Sequence, residues 1–581
     1  MVQVFTSGAV RFRIGGPTPS PPAGAGRDTA ADDAAVSAVL AALDDGDLER
    51  SAWLADDALN SGVESPVLFC VMAMALQAAG RPEAALPHLR RAMALTSTDV
   101  SIANALARCL LDLDQPSDAL PVLETALSLE PRHAETHANR GQALERLGRL
   151  AEAEQNYLAA LGLQPGQIAA RAGMASLSSH YGAHDAARAH AQAVIEAAPD
   201  FAPAHIILAT ADRVQGSPAA AEARIRRVMA TATRPDPLLD SHLADALDAQ
   251  DRVQEAFEAW SRSGEALRQV HAARFPGEGV LAAAERTAGA LERLAADSWP
   301  RDHAGRPAPS GVATHVFLLG FARSGTTLLG LALAGHKDVE LLDEQEPLAA
   351  ALLQFAGAQG LGRLLAATES ELEPLREDYW RRARSAGAKL DRRVFVDKQP
   401  MNSLNLHLIA RLFPGARILI ARRDPRDVAL SCFRRRFLIN RYTCELLTAE
   451  GAARLYAAAM RLVDRVGRLA SLETLVVRHE DLVEDFDGEM SGVCGFLRLG
   501  WSDALGTFAE RVRSSGVATP SASQLAQGLN GDGVGRWRRY ARQLRPLAPI
   551  LDPWVRRFGY DRLPDQAART EEPRLRSSAM S

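Results

Sequence analysis

Hydrophobic and polar residues follow different patterns in the two halves of the chain. From about residue 35 to about residue 270 the chain is rich in Ala and Leu and almost free of strand-like runs, which predicts helices. After residue 311, short apolar runs rich in β-formers alternate with helical stretches. This alternation predicts a parallel sheet with helices on both faces, and such sheets bind ligands at the carboxyl ends of their strands. The runs predicted to be strands are THVFLLG, DVELLDE, RRVFVDK, ARILIARR and ETLVVRHEDL.

The helical half of the chain repeats. Pro131, Pro165 and Pro199 lie 34 residues apart, and Gly148 and Gly182 each precede one of these prolines by 17 residues. The period, with a helix break at the glycine and a helix end at the proline, resembles the tetratricopeptide repeat. About six or seven units fit, with degenerate outer units. We expect the resulting solenoid to bind a peptide, a protein or the substrate; the alternative is a solenoid without a partner.

These patterns predict an α-solenoid of tetratricopeptide repeats followed by a P-loop-like α/β domain with a parallel sheet. Residues 1–34 include a stretch rich in Pro, Ala, Gly and Asp and are predicted to be a flexible leader. The solenoid is assigned to 35–270 and a helical connector and linker, ending in WPRDHAGRPAPSG, to 271–311. The α/β domain is assigned to 312–562 and a flexible tail to 563–581.

Composition narrows the possible environments and partners. The formal net charge is −5, which gives no general argument for nucleic acid as a partner. The five cysteines are scattered without C-x-x-C spacing, so we expect no disulfide scaffold, no zinc site and a reducing compartment. The N-terminal sequence is a poor signal peptide, and no uninterrupted apolar run is long enough for a membrane span. The expected location is cytoplasmic.

The segment VFLLGFARSGTTLLG, residues 316–330, resembles a phosphate-binding loop that lacks its lysine. Gly320 and Gly325 allow the backbone to curl, so that loop amides and the following helix N-terminus can hold a phosphate. The position of the Walker A lysine is occupied by Thr326. The candidate anion-binding residues of the loop are Arg323, Ser324, Gly325, Thr326 and Thr327. A chance turn between two glycines is the alternative.

A second element of the same kind is ARILIARRDPRDVALSCF, residues 416–433. It predicts a strand that runs into a turn and a helix. Arg423 and Ser431 lie eight residues apart across this turn and could reach one phosphate, the arginine through charge-assisted hydrogen bonds. The alternative is a solvated basic face that includes several of the neighbouring arginines, which are Arg426, Arg434, Arg435, Arg436 and Arg441.

With both elements present, residues 312–562 resemble the sulfotransferases that use 3′-phosphoadenosine-5′-phosphosulfate. The likeness is greatest to tyrosylprotein sulfotransferases and to bacterial proteins that join tetratricopeptide repeats to a sulfotransferase domain. The resemblance implies that the first loop holds the 5′-phosphosulfate and that Arg423 and Ser431 hold the 3′-phosphate. It also accounts for the missing lysine, because this donor has no γ-phosphate.

The resemblance assigns further catalytic roles. An acidic residue eight positions after a histidine acts as the general base in this family, and here His336 is followed by Glu344. Asp343 and Glu346 are close enough in sequence to remain alternatives, as is a purely structural acidic cluster. Lys398, which follows a predicted strand, corresponds to the lysine that stabilises the leaving phosphate.

The remaining candidates lie towards the C-terminus. His479 stands where the family usually has a tyrosine that contacts the nucleotide. In the segment SASQLAQGLNGDGVGRWRRY, Ser521 corresponds to a residue that contacts the sulfuryl group and Arg536 to one that contacts the 3′-phosphate. Gln524 and Trp537 also fall at matching places, whereas Leu525 replaces the usual valine.

The expected reaction is in-line transfer of a sulfuryl group to a hydroxyl, with Glu344 as base and with Lys398, Arg323 and Ser521 stabilising charge. No metal is expected, because the sequence has no cluster with ligand spacing. The acceptor stays open among peptide or protein tyrosine, sugars, lipids and secondary metabolites. Two alternative functions are an ATP-dependent small-molecule kinase, for which the loop lacks the expected lysine, and a non-catalytic repeat scaffold.

Overall fold

The structure is a computed structural model that describes residues 3–7, 10–14, 29–231, 236–271, 275, 277–295, 297–300, 309, 311–437, 439–515, 525, 528–529 and 531–560. The chain divides into two compact units, Met1–Gln215 and Gly216–Ser581. Within the described residues, none of the helices is both long and apolar enough to cross a membrane.

The first unit consists mainly of helices that pack as successive antiparallel pairs. Pro131, Pro165 and Pro199 each follow the end of a second helix, as the repeat predicts. The turn inside each pair needs a left-handed residue, with φ of 75° at both Gly148 and Gly182. The helices of this unit are α1 (Thr29–Asp44), α2 (Leu48–Asn60), α3 (Pro66–Ala78), α4 (Pro82–Leu95), α5 (Val100–Asp112), α6 (Pro116–Leu129), α7 (Ala134–Arg146), α8 (Leu150–Leu163), α9 (Ile168–His180), α10 (His184–Ala197) and α11 (Ala202–Val214).

The N-terminal segment also contains a pair of strands. Strands β1 (Gln3–Ser7) and β2 (Val10–Ile14) pair in antiparallel register, and α1 begins at Thr29. Both strands and the start of α1 fall within the segment predicted to be a flexible leader. Residues 15–28 lie outside the described residues, as do 561–581, which include the predicted tail.

One tyrosine joins two successive helical pairs of the first unit. The Tyr157 ring, on α8, is buried against Gly141 of α7 and Gly173 of α9. A Cβ at Gly141 would lie 2.6 Å from the ring, and one at Gly173 would lie closer still. The Tyr157 hydroxyl donates a hydrogen bond to Glu145 at 2.7 Å, and Ser176 donates to the same carboxylate at 2.5 Å. The ring therefore fills space that both glycines leave open.

The second unit contains a five-stranded parallel sheet with strand order β4-β5-β3-β6-β7. All five predicted strand runs form strands of this sheet, so the predicted fold class is confirmed. The strands are β3 (Thr314–Leu319), β4 (Val339–Asp343), β5 (Val394–Lys398), β6 (Arg417–Arg422) and β7 (Thr474–Arg478). The helices are α12 (Pro218–Thr231), α13 (Pro237–Asp248), α14 (Val253–His271), α15 (Val280–Glu292), α16 (Thr326–Leu333), α17 (Ala349–Gln354), α18 (Gly360–Ala366), α19 (Glu369–Ser385), α20 (Leu406–Leu412), α21 (Pro425–Phe433), α22 (Ala449–Leu469), α23 (His479–Glu484), α24 (Phe486–Leu497), α25 (Phe508–Ser515), α26 (Ala541–Leu544) and α27 (Ala548–Arg557). Short 3₁₀ helices span Pro400–Asn405, Thr443–Leu447, Asp503–Thr507, Arg536–Tyr540 and Arg545–Leu547.

Both faces of the sheet are covered, as near-continuous apolar strands require. Alternate side chains of β3 point to opposite faces. Val316 and Leu318 pack in the core that includes α16 and α24, whereas Phe317 contacts Tyr379 of α19 with ring centroids 5.9 Å apart. The sheet is therefore a central layer with packed side chains on both faces.

The helices that precede the sheet pack closely against later helical segments of the same unit. α14 approaches the backbone of Thr443–Leu447 so closely that a Cβ at Gly264 would overlap the Leu447 carbonyl oxygen. α15 pairs with α22 through ion pairs between Arg454 and Glu285 and between Arg461 and Glu292, at 2.9 and 2.7 Å. Helices α13 and α14, predicted to end the solenoid, thus belong to the unit that holds the sheet.

Candidate active site

The parallel sheet brings the carboxyl ends of its strands to one edge. Register pairs Lys398 of β5 with Asp343 of β4 on one side and with Leu318 of β3 on the other. On the far side of β3, Arg422 of β6 pairs with Arg478 of β7. The chain leaves β3 towards β4 and leaves β6 towards β7, so a crevice opens outside the ends of β3 and β6.

The loop after β3 is held in its curl by internal contacts. The Ser324 hydroxyl accepts a hydrogen bond from the Phe321 amide at 3.0 Å and donates one to the Phe321 carbonyl at 2.7 Å. A Cβ at Gly320 would lie 2.5 Å from that hydroxyl oxygen. Arg323 takes a left-handed conformation with φ of 68°, and Gly325 does so with φ of 104°. The loop therefore depends on glycine and on one non-glycine residue in a conformation that costs energy.

Arginines from the ends of β3 and β6 meet beside this loop. Arg423 donates to the Arg323 carbonyl at 3.1 Å and to the Gly533 carbonyl, and its buried Nε has no partner among the described residues. Arg323 Nε donates to the Ser431 hydroxyl at 3.0 Å. Burial, together with the charges of Arg435 and Arg423, lowers the pKa of Arg323 to about 9. This concentration of positive charge favours an anionic ligand.

His479 closes the loop from the end of β7. A Cβ at Gly325 would lie 2.8 Å from His479 Nδ1, so only glycine fits against the ring. Burial, with Arg423 and Arg323 nearby, lowers the pKa of His479 to about 3. The imidazole is therefore neutral at pH 7, and its Nδ1 has no hydrogen-bond partner in the part of the chain that the structure describes.

These residues line one open cleft outside the ends of the strands. Arginine, histidine and threonine side chains supply its polar wall, and none of the described lining residues is a carboxylate. Such a wall suits a polyanion. The lining residues are Arg323, Gly325, Thr326, Thr327, Leu328, Arg423, His479, Val483, Leu525, Gly528, Leu529 and Gly533.

A lysine and two carboxylates lie at the ends of the neighbouring strands. The Lys398 ammonium, only 1% exposed, contacts Asp343 and lies 2.7 Å from Glu344 Oε1. Glu344 has φ of 49°, and its amide donates to the Lys398 carbonyl at 2.8 Å. The carboxylates of Asp343 and Glu344 are 34% and 44% exposed, so both can meet a substrate. The charged groups at these strand ends are thus one buried ammonium and two accessible carboxylates.

The structure places some predicted residues away from the cleft. Ser324 is buried and uses its hydroxyl inside the loop. Arg536 lies 2.7 Å from Asp248, where its guanidinium is already paired. Ser521 and Gln524 lie outside the described residues. The solvated-face interpretation is wrong for Arg426, which is 2% exposed and pairs with Asp424 at 2.7 Å.

Two features of the site were missed from the sequence. The first is Arg435, whose charge lowers the pKa of Arg323; its place two residues after the end of the helix that carries Ser431 was the available signal. The second feature is Gly533, whose carbonyl accepts from Arg423 and where a Cβ would lie 2.6 Å from that guanidinium. Only its place between two other glycines hinted at a close backbone approach. Among the described residues, no group of three or more His, Cys, Asp and Glu could hold a metal ion.

Comparison with known proteins identifies the two parts of the chain separately. Residues 315–503 match the family model described as Sulfotransferase family, and residues 104–168 match that of the Tetratricopeptide repeat. An uncharacterised protein of Aquifex aeolicus is 25% identical over 41% of this chain and 32% of its own length. Nodulation protein NoeE of Sinorhizobium fredii is 30% identical over 30% of this chain and 48% of its own.

A third relative carries a protein-tyrosine sulfotransferase name. Protein-tyrosine sulfotransferase 1 of Danio rerio is 22% identical over 42% of this chain and 72% of its own length. The chain spans about a third of the length of the Aquifex aeolicus protein and about half of the length of NoeE. The cationic cleft at the carboxyl ends of the strands lies largely within the family match. Residues 315–503 are therefore similar to the sulfotransferase family, and residues 104–168 to the tetratricopeptide repeats.

Proposed function

We propose that this protein transfers a sulfuryl group from 3′-phosphoadenosine-5′-phosphosulfate to a hydroxyl acceptor. One observation carries the proposal. The loop after β3 and Arg423 after β6 are joined by a hydrogen bond and together line a cationic cleft without a described carboxylate. On the other side of β3, Lys398 ends β5 and Glu344 directly follows β4. The residues proposed to bind the anion and the residue proposed to accept the proton thus lie at the ends of neighbouring strands.

The residues of the cleft fit the donor. Gly325 keeps the loop open for an anion where a side chain would meet His479. Arg423 Nε and His479 Nδ1 are buried polar atoms without partners among the described residues, and such atoms call for a ligand or water. In this proposal the loop residues Arg323, Thr326 and Thr327 hold the 5′-phosphosulfate, and Arg423 and Ser431 hold the 3′-phosphate. The donor itself supplies an activated sulfuryl group on a phosphate leaving group.

In the proposed step the acceptor oxygen forms a bond to sulfur as the bond from sulfur to the phosphate oxygen breaks. Glu344 takes the hydroxyl proton, and the Lys398 ammonium stabilises negative charge on the departing phosphate. Lys398 is buried and held by two acids, so its position is fixed before the donor arrives. As in phosphoryl transfer, positioning and electrostatics carry the reaction.

We infer a peptide or protein tyrosine as the leading acceptor, held in part by the repeats. Repeat arrays commonly bind extended partners, and two relatives are named protein-tyrosine sulfotransferases. Sugars, lipids and secondary metabolites are the alternative acceptors. A screen with tyrosine-containing peptides against these classes, using radiolabelled donor, tests this part of the proposal.

The donor is tested by calorimetric titration with 3′-phosphoadenosine 5′-phosphate and, separately, with ATP and magnesium. We expect the bisphosphate to bind more tightly, and Arg423→Gln to weaken it about 10- to 100-fold, the range for hydrogen bonds to charged groups. Arg417→Gln, at the opposite end of β6, is the matched control. Binding of ATP alone would favour the kinase, and binding of neither ligand to folded protein would favour the scaffold.

A further inference from the structure

The last helical pair before the sheet, α13 and α14, contacts a run of three arginines, Arg434, Arg435 and Arg436, that follows α21. Two of the three bind side chains of this pair. Arg434 lies 2.5 Å from Asp248, and Arg436 lies 2.9 Å from both Asp245 and the Ser241 hydroxyl. All three partners are on α13. The middle arginine, Arg435, forms no ion pair with any described residue; Asp245 is the first charged group that acts on it, and its own charge lowers the pKa of Arg323. The ion pairs of Arg434 and Arg436 therefore fix the backbone on either side of Arg435.

Asp248 is the centre of this contact. Its carboxylate, 5% exposed, accepts from Arg434, Arg536 and Tyr540 and lies 3.2 Å from Arg539. Burial alone would raise the pKa of Asp248, but these partners outweigh it and leave the pKa below its ordinary value. A buried carboxylate with three donors and a further cation beside it is a strongly specified position, because the loss of its charge would leave several cations unpaired.

The same contact reaches the donor cleft through residues 533–540. The Gly533 carbonyl accepts from Arg423, and the Asp427 carboxylate accepts from the Gly535 and Trp537 amides at 2.7 and 2.8 Å. Two residues of this segment, Arg536 and Tyr540, donate hydrogen bonds to the Asp248 carboxylate. The segment is therefore held between α21, which follows the donor arginine, and the end of α13.

Aromatic packing supports the polar contact. Phe257 and Trp260 of α14 contact Phe433, at the end of α21, with ring centroids 5.0 and 6.4 Å apart. The Arg434 guanidinium lies 4.3 Å from the Trp260 ring centroid, a favourable cation–π distance. These helices lie outside residues 315–503, so the family match alone does not include them.

We propose that Asp248 is a positioning residue for the donor site, and that helices α13 and α14 form part of that site's support. The proposal rests on the proposed function. Asp248 does not line the cleft; it acts through Arg434 and through residues 533–540. Replacing it by asparagine keeps the shape but removes the charge. Released arginines would turn towards water, and Arg423 and Arg435 would lose fixed positions, so donor binding should weaken rather than strengthen.

The test compares full-length Asp248→Asn with the wild type in steady-state kinetics and in calorimetric binding of 3′-phosphoadenosine 5′-phosphate. We expect about tenfold weaker bisphosphate binding and a similar rise in donor KM, with kcat at saturating donor within about twofold. Tyr540→Phe, which removes only one donor to Asp248, should give a smaller change in the same direction. It keeps the test valid if Asp248→Asn does not fold.

Asp240→Asn is the control, because Asp240 is on the same helix and pairs with Arg262 of α14 at 2.9 Å. A merely structural role predicts a lower melting temperature in Asp248→Asn with unchanged donor KM, and that result would overturn the proposal. Unchanged or tighter bisphosphate binding by folded variants would also overturn it. If the wild type itself does not bind the bisphosphate, the proposed function fails first, which separates the two failures.

Discussion

Asp343 and Glu344 both contact the Lys398 ammonium, so charge alone does not decide which residue accepts the proton. Backbone conformation separates them. Asp343 is the last residue of β4, whereas Glu344 follows it with φ of 49° and leaves the strand direction. A non-glycine residue in this conformation costs energy, and such residues cluster at functional sites. Glu344 is also the more exposed of the two acids, which favours it as the group that meets the acceptor.

Glu344→Gln should therefore lower kcat by about 10²- to 10⁴-fold, the usual contribution of a general base. Bisphosphate affinity should be unchanged, because Glu344 does not line the donor cleft. Asp343→Asn, which alters the other partner of Lys398, should cost less than about tenfold. Kinetics of both variants at saturating donor provide the measurement, and the reverse order would make Asp343 the base.

A second residue, Asp397, should make the stability of the protein depend on pH. Asp397 is fully buried, and burial raises its pKa to about 7, although a hydrogen bond from Tyr379 at 2.9 Å opposes the rise. The unfolded chain releases this proton near pH 4, whereas the native state keeps it up to pH 7. The contribution of Asp397 therefore makes the protein less stable as the pH rises from about 4 to 7.

Asp397→Asn should remove that dependence. The change in the free energy of unfolding between pH 5 and pH 8 should then be more favourable in the variant than in the wild type by a few kcal/mol. The amide oxygen can still accept from Tyr379. Urea unfolding at pH 5, 6, 7 and 8 measures the effect, with exposed Asp391→Asn as control. An unchanged slope would mean that Asp397 is ionised in the native state.

Among the elements, strands and repeats could be predicted because their signals are local. Each apolar run ended by polar residues became a strand of the parallel sheet, and prolines at a period of 34 marked helix ends. Side-chain partners could not be predicted in this way. Arg536 and Asp248 are 288 residues apart, and nothing near Arg536 indicated that its charge is taken up on α13. Arg426 likewise was one of five arginines that an alternative interpretation placed on a solvated face, yet its guanidinium lies 3.6 Å from the Trp537 ring centroid.

The turn between β3 and α16 should tolerate no side chain at Gly325. Gly325→Ala combines a strained φ of 104° with a Cβ 2.8 Å from His479. We expect a destabilisation of about 1–3 kcal/mol and a loss of bisphosphate affinity, measured by thermal unfolding and calorimetry. Gly362→Ala, where a Cβ meets nothing within 4 Å, should be neutral or slightly stabilising. Equal affinity in Gly325→Ala and the wild type would exclude the loop from the donor site.

At the scale of the second unit, α14 and the sheet should unfold together. Gly264→Ala would push α14 away from the Leu447 carbonyl and should lower the melting temperature by several degrees. Gly289→Ala in α15, where a Cβ would make an ordinary contact at 3.6 Å, is the control. Hydrogen exchange should show faster opening of α13 and α14 in Gly264→Ala. Unchanged exchange there would mean that this close approach does not hold the helices.

The Tyr157 ring has a consequence for how the first unit comes apart. In repeat arrays, unfolding can begin at an end and proceed unit by unit, because each unit contacts only its neighbours. Here one ring fills the space of Gly141 and Gly173, and one carboxylate joins Tyr157 and Ser176. The helices α7, α8 and α9 cannot separate without exposing that ring and leaving Glu145 without its partners. Unravelling that starts at either end should therefore pause at this junction, which makes residues 134–180 the last part of the array to lose its structure.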